Sequence, residues 1–405
     1  MSMEVHIMNK KVLSLGVMLS LATTGVMAAD SVTTSVNNGD QLTKYQKEAI
    51  QLTQKQLANK AVQDSKTYEH TLALNETRTI DLALANNRTA KQTKWDYQVA
   101  KDTVSATAAG KNPSISYSWQ GSRSKGVNAM TGRNVTSKNG SHSFTISAPV
   151  FSPELDASID ASRYAREGAG ASYEEALQQA KYDAISGYYT LIMNRNLVDV
   201  AQQAVKDYQG HVTNVEAQYN VGLVASSDVL AAKTNLADSE TNLVKAQNSA
   251  NLSEASLNQV IAYPVQTSIT TAEHDLQYKP YNVTLEQAKA YAMLHRSVLV
   301  KSAMAVKEAE ETLKKAKAGY LPTVGVETGR GYVDPDGYFG TSNKSWHIGA
   351  KASWSLWDGG ATQNKVKVAN DTLEKAKEAN LATVDAVLLA VQKAYLNLRS
   401  AEQTI

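Results

Sequence analysis

The 405-residue chain contains no cysteine, which excludes disulfides, thiolate metal ligands, a cysteine nucleophile and attachment through a lipid-modified N-terminal cysteine. Any hold on a membrane must then be built from side chains. Charge gives no guide to a partner either: 41 Lys and Arg against 39 Asp and Glu leave a formal net charge of +2, too little to favour nucleic acid. Aromatic residues make up only 7% and there are 7 prolines, against 42% hydrophobic residues. That balance suits long helices packed through Ala and Ser better than a thick globular core. Beyond the N-terminal segment no run approaches about 18 uninterrupted apolar residues, so a helical membrane protein is not expected.

Signatures of catalysis are missing as well. No Gly-x-x-x-x-Gly-Lys-Ser/Thr loop, Gly-x-Gly-x-x-Gly, His-Glu-x-x-His or Gly-x-Ser-x-Gly occurs. His6, His70, His142, His211, His274, His295 and His347 are scattered without ligand spacing. Glu174-Glu175 and Glu310-Glu311 sit beside Lys and Ala on expected helices, where they read as solvated faces. The sequence therefore points to no catalytic residue, no metal, no cofactor and no nucleic-acid partner; the protein is not expected to be an enzyme.

What is present begins with targeting. Met8-Asn9-Lys10-Lys11 supplies a positive start, Val12 to Thr24 an apolar stretch and Val26-Met27-Ala28-Ala29 a small-residue cleavage site, so residues 1–29 read as a secretory signal peptide. About 13 apolar residues are too few to span a bilayer. Residues 30–69 are polar, with only Tyr45, Ile50, Leu52 and Leu57 scattered through them, and are expected to form a helical periplasmic extension.

The remainder repeats itself. Ala83, Ala100, Ala109, Gly110, Pro113 and Ile115 align at one constant shift with Ala292, Ala309, Ala318, Gly319, Pro322 and Val324. Val150-Phe151 answers Leu356-Trp357, and Tyr189 answers Tyr395. Residues 70–263 form a first copy, 264–283 a linker and 284–405 a second copy. Each copy reads helix, Gly-x-x-Pro break, strand, loop, strand, long helix.

The strands alternate. Ile115, Tyr117 and Trp119 face away from Ser114, Ser116 and Ser118; Phe144, Ile146, Ala148 and Val150 alternate with Ser143, Thr145 and Ser147. In the second copy Trp346, Ile348, Ala350, Ala352, Trp354 and Leu356 alternate with His347, Gly349, Lys351, Ser353 and Ser355. Strands of about ten residues with one apolar and one wet face suit an outer-membrane barrel, with lipid outside and water inside. A β-sandwich shows the same alternation, and periodicity leaves both open. In a barrel, Tyr117, Trp119, Trp354 and Trp357 would belong to a lipid-interface girdle. Gly121 to Gly140 and Gly329 to Lys344 are glycine-rich and polar and are expected to be long loops. Asp334-Pro335-Asp336-Gly337 there reads as a turn, since it lacks the spacing and closing Glu of a calcium loop.

Between Glu154 and Asn220 there is no proline, which allows a helix on the order of 100 Å. Leu191, Val198, Val205, Val212 and Tyr219 recur every seven residues, flanked by Ala201, Tyr208 and Val215. The next helix carries Val229, Leu236, Leu243, Ala250 and Leu257 in one row and Ala232, Ser239, Ala246, Ser253 and Val260 in another. Such rows predict coiled-coil packing, and the short Val221-Gly222-Leu223 turn makes the pair antiparallel.

Signal peptide, duplicated architecture and the stretch Tyr219-Asn220-Val221-Gly222-Leu223-Val224-Ala225-Ser226-Ser227-Asp228-Val229-Leu230 together resemble the TolC-type outer-membrane efflux family, over roughly residues 70 to 405. The resemblance implies an α+β membrane protein of the outer membrane: a homotrimer whose subunits each lend four strands to one twelve-stranded barrel and their helices to a periplasmic tunnel. It implies contact with outer-membrane lipid, a periplasmic adaptor protein and an inner-membrane transporter. Tyr219, Val221, Gly222, Leu223 and Ser226 match the adaptor-binding tip, and Asp228 an acidic position of the network that holds the tunnel closed. By the pattern of the first copy, about 60 further residues would complete the second beyond Ile405. The function so implied is a passive conduit in a tripartite efflux or type I secretion system, whether for drugs, metals or proteins. A non-transporting coiled-coil scaffold in the outer membrane is the alternative.

Overall fold

A computed structural model describes residues 44–67, 71–127, 129–274, 278, 280–334 and 343–404. The expected signal peptide and the Pro335-Asp336-Gly337 turn lie outside the described residues. The chain divides into two units, Met1–Glu69 and His70–Ile405. In the first, α1 (Lys44–Thr67) is a helix of 24 residues without Gly or Pro, so the described part of the N-terminal segment is helical.

The second unit runs β1 (Thr71–Leu74), α2 (Glu76–Asn86), α3 (Arg88–Ala109), β2 (Ser114–Val127), β3 (Asn134–Phe151), α4 (Pro153–Asn220), α5 (Ser226–Val260), β4 (Ser268–Thr271), α6 (Leu285–His295), α7 (Ser297–Ala318), β5 (Thr323–Asp334), β6 (Asn343–Ser353) and α8 (Ala361–Thr404). Local chemistry sets several boundaries. Asn75 and Asn87 cap α2 and α3 by accepting the Arg78 and Ala90 amides, and Thr284 exchanges side-chain bonds with Gln287 to start α6. Pro153 opens α4, followed by Glu154 and Asp156, whose charges suit the positive end of the helix. Its 68 residues make a rod of about 100 Å.

The main core gathers where α2, α4 and α5 meet the parallel pair β1–β4. Leu72, Leu74, Ala184, Tyr188, Leu191, Ile192, Leu257, Ile261 and Ile269 are buried there, with Leu72 opposite Ile269. Polar groups in this region find partners. The Tyr188 hydroxyl donates to the Glu273 carboxylate. Arg195 donates to Glu254 at 3.2 Å and to the Ile269 carbonyl at 2.6 Å, while Glu254 accepts the Ile269 amide at 2.6 Å. Burial, then the Glu273 carboxylate, push the Tyr188 phenol up to about 12. Further along the α4–α5 hairpin, Val212, Val215 and Ala232 form a second cluster with Val224, Val229 and Leu236. The seven-residue rows therefore face inward, although Tyr208 and Tyr219 of those rows stay exposed.

The remaining strands form an antiparallel sheet in the order β2-β3-β5-β6, two hairpins joined through β3 and β5. Three expectations are corrected here. Most of Gly121 to Gly140 is strand, because the ladder continues through Arg123–Lys138 to Val127–Asn134; β5 likewise runs on to Asp334 and β6 starts at Asn343. Val150 falls in a β-bulge: Pro149 pairs with Gly325 and Phe151 with Val324, so Phe151 takes the face assigned to Val150. Trp354 and Leu356 lie past the end of β6, whose last residue Ser353 is already opposite Thr323, the first of β5. The Trp354 indole donates instead to the Tyr320 carbonyl at 3.0 Å.

The helix α8 holds an 18-residue window of mean hydropathy 1.2, long and apolar enough to cross a membrane by length and composition. It lies along α6 and α7, with Ser302 of α7 donating to Asn380 at 2.7 Å, and leaves Leu381, Leu389 and Leu396 exposed.

Candidate functional site

Residues directly opposite one another in a sheet share a face, so the pairings sort the four strands into rows. On one face Ile115, Ile146, Thr328 and Ile348 line up across the sheet; the next row is Tyr117, Phe144, Arg330 and Trp346, and the next Trp119, His142, Tyr332 and Lys344. In the other direction come Ala148, Val326 and Ala350, then Phe151, Val324 and Ala352. From Val324 to Tyr332 is about 26 Å along the strand at roughly 3.3 Å per residue, about the height of a barrel's apolar band. Aliphatic residues occupy the middle. Aromatic and cationic groups mark one end: Tyr117 and Phe144 rings are 4.8 Å apart, Tyr117 Oη is 2.7 Å from His142 Nδ1, and the Arg330 guanidinium lies 5.3 Å from the centre of the Tyr332 ring. Ile115 is 76% and Ile348 75% exposed in the single chain. A face this apolar and this uncovered is a membrane or interface face.

The opposite face is hydroxyl and glycine. Its rows are Ser114, Ser147, Glu327 and Gly349; Ser116, Thr145, Gly329 and His347; Ser118, Ser143, Gly331 and Ser345. Ser114 and Ser147 hydroxyls are 3.0 Å apart, and those of Ser118 and Ser143 2.7 Å. The sheet thus brings Ile115, Tyr117, Trp119, Phe144, Ile146, Trp346 and Ile348 onto the one face expected for them, and leaves Val150, Trp354 and Leu356 out of it.

At the far end of α4 the chain reverses through Val221-Gly222-Leu223. Gly222 has φ +77°, which a side chain makes costly. Its amide donates to the Tyr219 carbonyl and that of Leu223 to Gln218, both at 2.9 Å, which closes the helix end in a Schellman motif. Tyr219, Val221 and Leu223 project from the turn, the last two 70% and 75% exposed, with Ser226 exposed beside them. Lys233 and Glu216 bridge the two helices at 2.8 Å. Asp228 is exposed, and its carboxylate accepts the Ala225 amide at 3.1 Å, so within one chain it caps α5. Among the described residues no cluster of three or more His, Asp and Glu is arranged to hold a metal.

Two arrangements escaped the sequence reading. Asp358 starts α8: its carboxylate accepts the Thr362 hydroxyl at 2.6 Å, the Thr362 amide at 2.8 Å and the Gly360 amide at 3.1 Å, while Gly359 and Gly360 have positive φ. The Thr362 bonds foremost hold the Asp358 carboxyl below the usual carboxylate range. The Asp-Gly-Gly triplet was the available signal. The second is the contact between His347 Nε2 and Glu327 Oε1, 3.1 Å apart on the hydroxyl face.

The chain thus joins an amphipathic four-stranded sheet, whose edge strands are unpaired among the described residues, to a helix of about 100 Å. The model of the outer membrane efflux protein family matches residues 79–262 and 290–405. This chain belongs to that family, and its place is the outer membrane. It is 23% identical to outer membrane protein TolC of Salmonella enteritidis over 248 residues, 58% of this chain and 49% of TolC. The chain spans about half the length of the curated relatives it matches. Among solved structures it resembles the outer membrane protein VceC of Vibrio cholerae (TM-score 0.67, 18% identity, covering 81% of this chain and 79% of that one). It also resembles the outer membrane channel CmeC of Campylobacter jejuni (TM-score 0.65, 17% identity, covering 81% and 74%).

Proposed function

We propose that this chain is the outer-membrane conduit of a tripartite efflux or type I secretion system, a passive pore driven from outside itself. The observation that carries the reading is the sheet: one face aliphatic with an aromatic end, the other hydroxyl, and both edge strands unpaired. Four strands cannot close on themselves, whereas three copies make a twelve-stranded barrel with a watery interior. Leu381, Leu389 and Leu396, exposed on one side of α8, support burial against further helices of such an assembly. The two runs of paired helices, hairpin and long helix support an internal duplication of residues 70–263 and 284–405, joined by 264–283 and preceded by a periplasmic extension. The α4–α5 hairpin would then line the tunnel and offer Tyr219, Val221, Gly222, Leu223 and Ser226 to a periplasmic adaptor bound to an inner-membrane transporter. Asp228 would face the closing network while capping its own helix. The test is conductance of the full-length protein in planar bilayers, with its oligomeric state in detergent. Discrete channels from a trimer are expected; a trimer that never conducts would favour a scaffold.

A further inference from the structure

The two hairpins of the sheet present different chemistry on the hydroxyl face. On β2 and β3 that face holds Ser114, Ser116, Ser118, Ser143, Thr145 and Ser147 through the core of the ladder. On β5 and β6 it holds Glu327, His347 and Lys351 among glycines. Lys351 is opposite Gly325, Gly349 opposite Glu327 and His347 opposite Gly329, so Glu327 lies diagonally between an imidazole and an ammonium. The imidazole reaches Glu327 by lying over Gly329. A Cβ at that position would stand 2.6 Å from His347 Cε1 and 2.9 Å from the Phe144 carbonyl oxygen. The glycine is thus a seat for the ring, and the pair is a built feature of the strand crossing.

Among the described strand residues no other titratable group shares this face. Arg123, Lys125, Lys138, His142, Arg330, Asp334 and Lys344 all fall on the opposite one by register. The elements packed against the pair contribute only Thr145 and Ser147 from β3 and Ser345 from β6 on its own side.

We infer that Glu327, His347 and Lys351 form a charged belt on the barrel wall that biases which ions pass it. This rests on the conduit reading, in which the hydroxyl face lines the water. Glu327 and Lys351 carry opposite charges, so removing either leaves the other uncompensated in each chain, repeated around the ring in a trimer. A ring of charge in a low-dielectric wall selects the counter-ion. The two serine-lined strands of each subunit contribute polarity and no charge, so the charge of the barrel wall resides in the second hairpin.

The test is the reversal potential of the full-length protein in planar bilayers under a potassium chloride gradient. It is made at about 0.01 M salt, where screening reaches only beyond about 30 Å. Glu327→Gln should shift selectivity toward anions and Lys351→Gln toward cations, with high-salt conductance of each variant like that of the wild type. Unchanged reversal potentials in both charge variants, in a channel that conducts, would overturn this inference alone. A wild type that never conducts overturns the conduit reading and this inference with it.

Discussion

Replacing Ile348 by Arg places a guanidinium in the row of Ile115, Ile146 and Thr328, midway between the Val324 row and the Tyr332 row. The bilayer centre lies at that level if the aliphatic face meets lipid. An Arg there costs about 2–4 kcal/mol per copy, so a trimer carries about 6–12 kcal/mol against insertion. Even the lower figure exceeds four factors of ten in the equilibrium between inserted and uninserted protein. Ile146→Arg, one strand away in the same row, should do the same. Thr145→Arg points to the opposite face, beside Gly329 and His347, where water solvates the charge and the cost falls to a fraction of this. The assay is the amount of folded trimer recovered from outer membranes, read by its altered mobility before and after heating, followed by single-channel conductance. Ile146→Arg and Ile348→Arg should leave little folded trimer, whereas Thr145→Arg should insert and change the conductance. Equal insertion of all three would mean that the faces are wrongly assigned.

Gly222→Leu or Gly222→Asp should strain the φ +77° turn by about 1–2 kcal/mol and block the tip; adaptor crosslinking and efflux should fall together while trimer yield holds, and loss of trimer would make the turn purely structural. Tyr188→Phe removes the hydroxyl that donates to Glu273 and should cost about 1–3 kcal/mol in denaturant titrations. Because folding raises this phenol from 10.0 to about 12, wild-type stability should hold below pH 10 and decline as pH rises from there through about 12. The phenylalanine variant should lack that decline. Asp358→Ala removes three accepted bonds at the start of α8 and should lower Tm. Since the folded carboxyl titrates below its usual range, that contribution is present at neutral pH and lost on acidification through the lowered value. A variant as acid-sensitive as the wild type would contradict it.

What sequence could and could not convey follows from the range of each signal. Gly222 was legible because a positive φ between two long helices is a local demand. Ile115, Ile146 and Ile348 were legible because a wet face opposite an apolar one writes itself as alternation. That signal fades where a hairpin leaves the bilayer: Arg123 and Lys138 pair in a ladder with no apolar face to betray it, so strand looked like loop. A bulge is a slip of one residue, and nothing in Ala148-Pro149-Val150-Phe151 says which of the last two pairs. Trp354 and Leu356 keep the alternation after the partner strand has ended, which only the register discloses. Glu327 and His347 are twenty residues apart, and their meeting depends on which residue of the partner strand is glycine. The Asp228 cap was within reach, since an acidic residue three positions into a helix is a known local device.

The two free edges of the sheet set an order of events on the way to the membrane. β2, with 14 residues, and β6, with 11, each turn about half of their amide and carbonyl groups outward with no strand partner among the described residues. In hydrocarbon each such group costs several kcal/mol, so if the sheet enters the bilayer as proposed, its edges need partners first. In the proposed trimer, meeting the other copies and entering the membrane would then be a single step. Biogenesis of such a ring would depend steeply on subunit concentration, stalling when the protein is scarce and accelerating sharply once enough copies are present to close it.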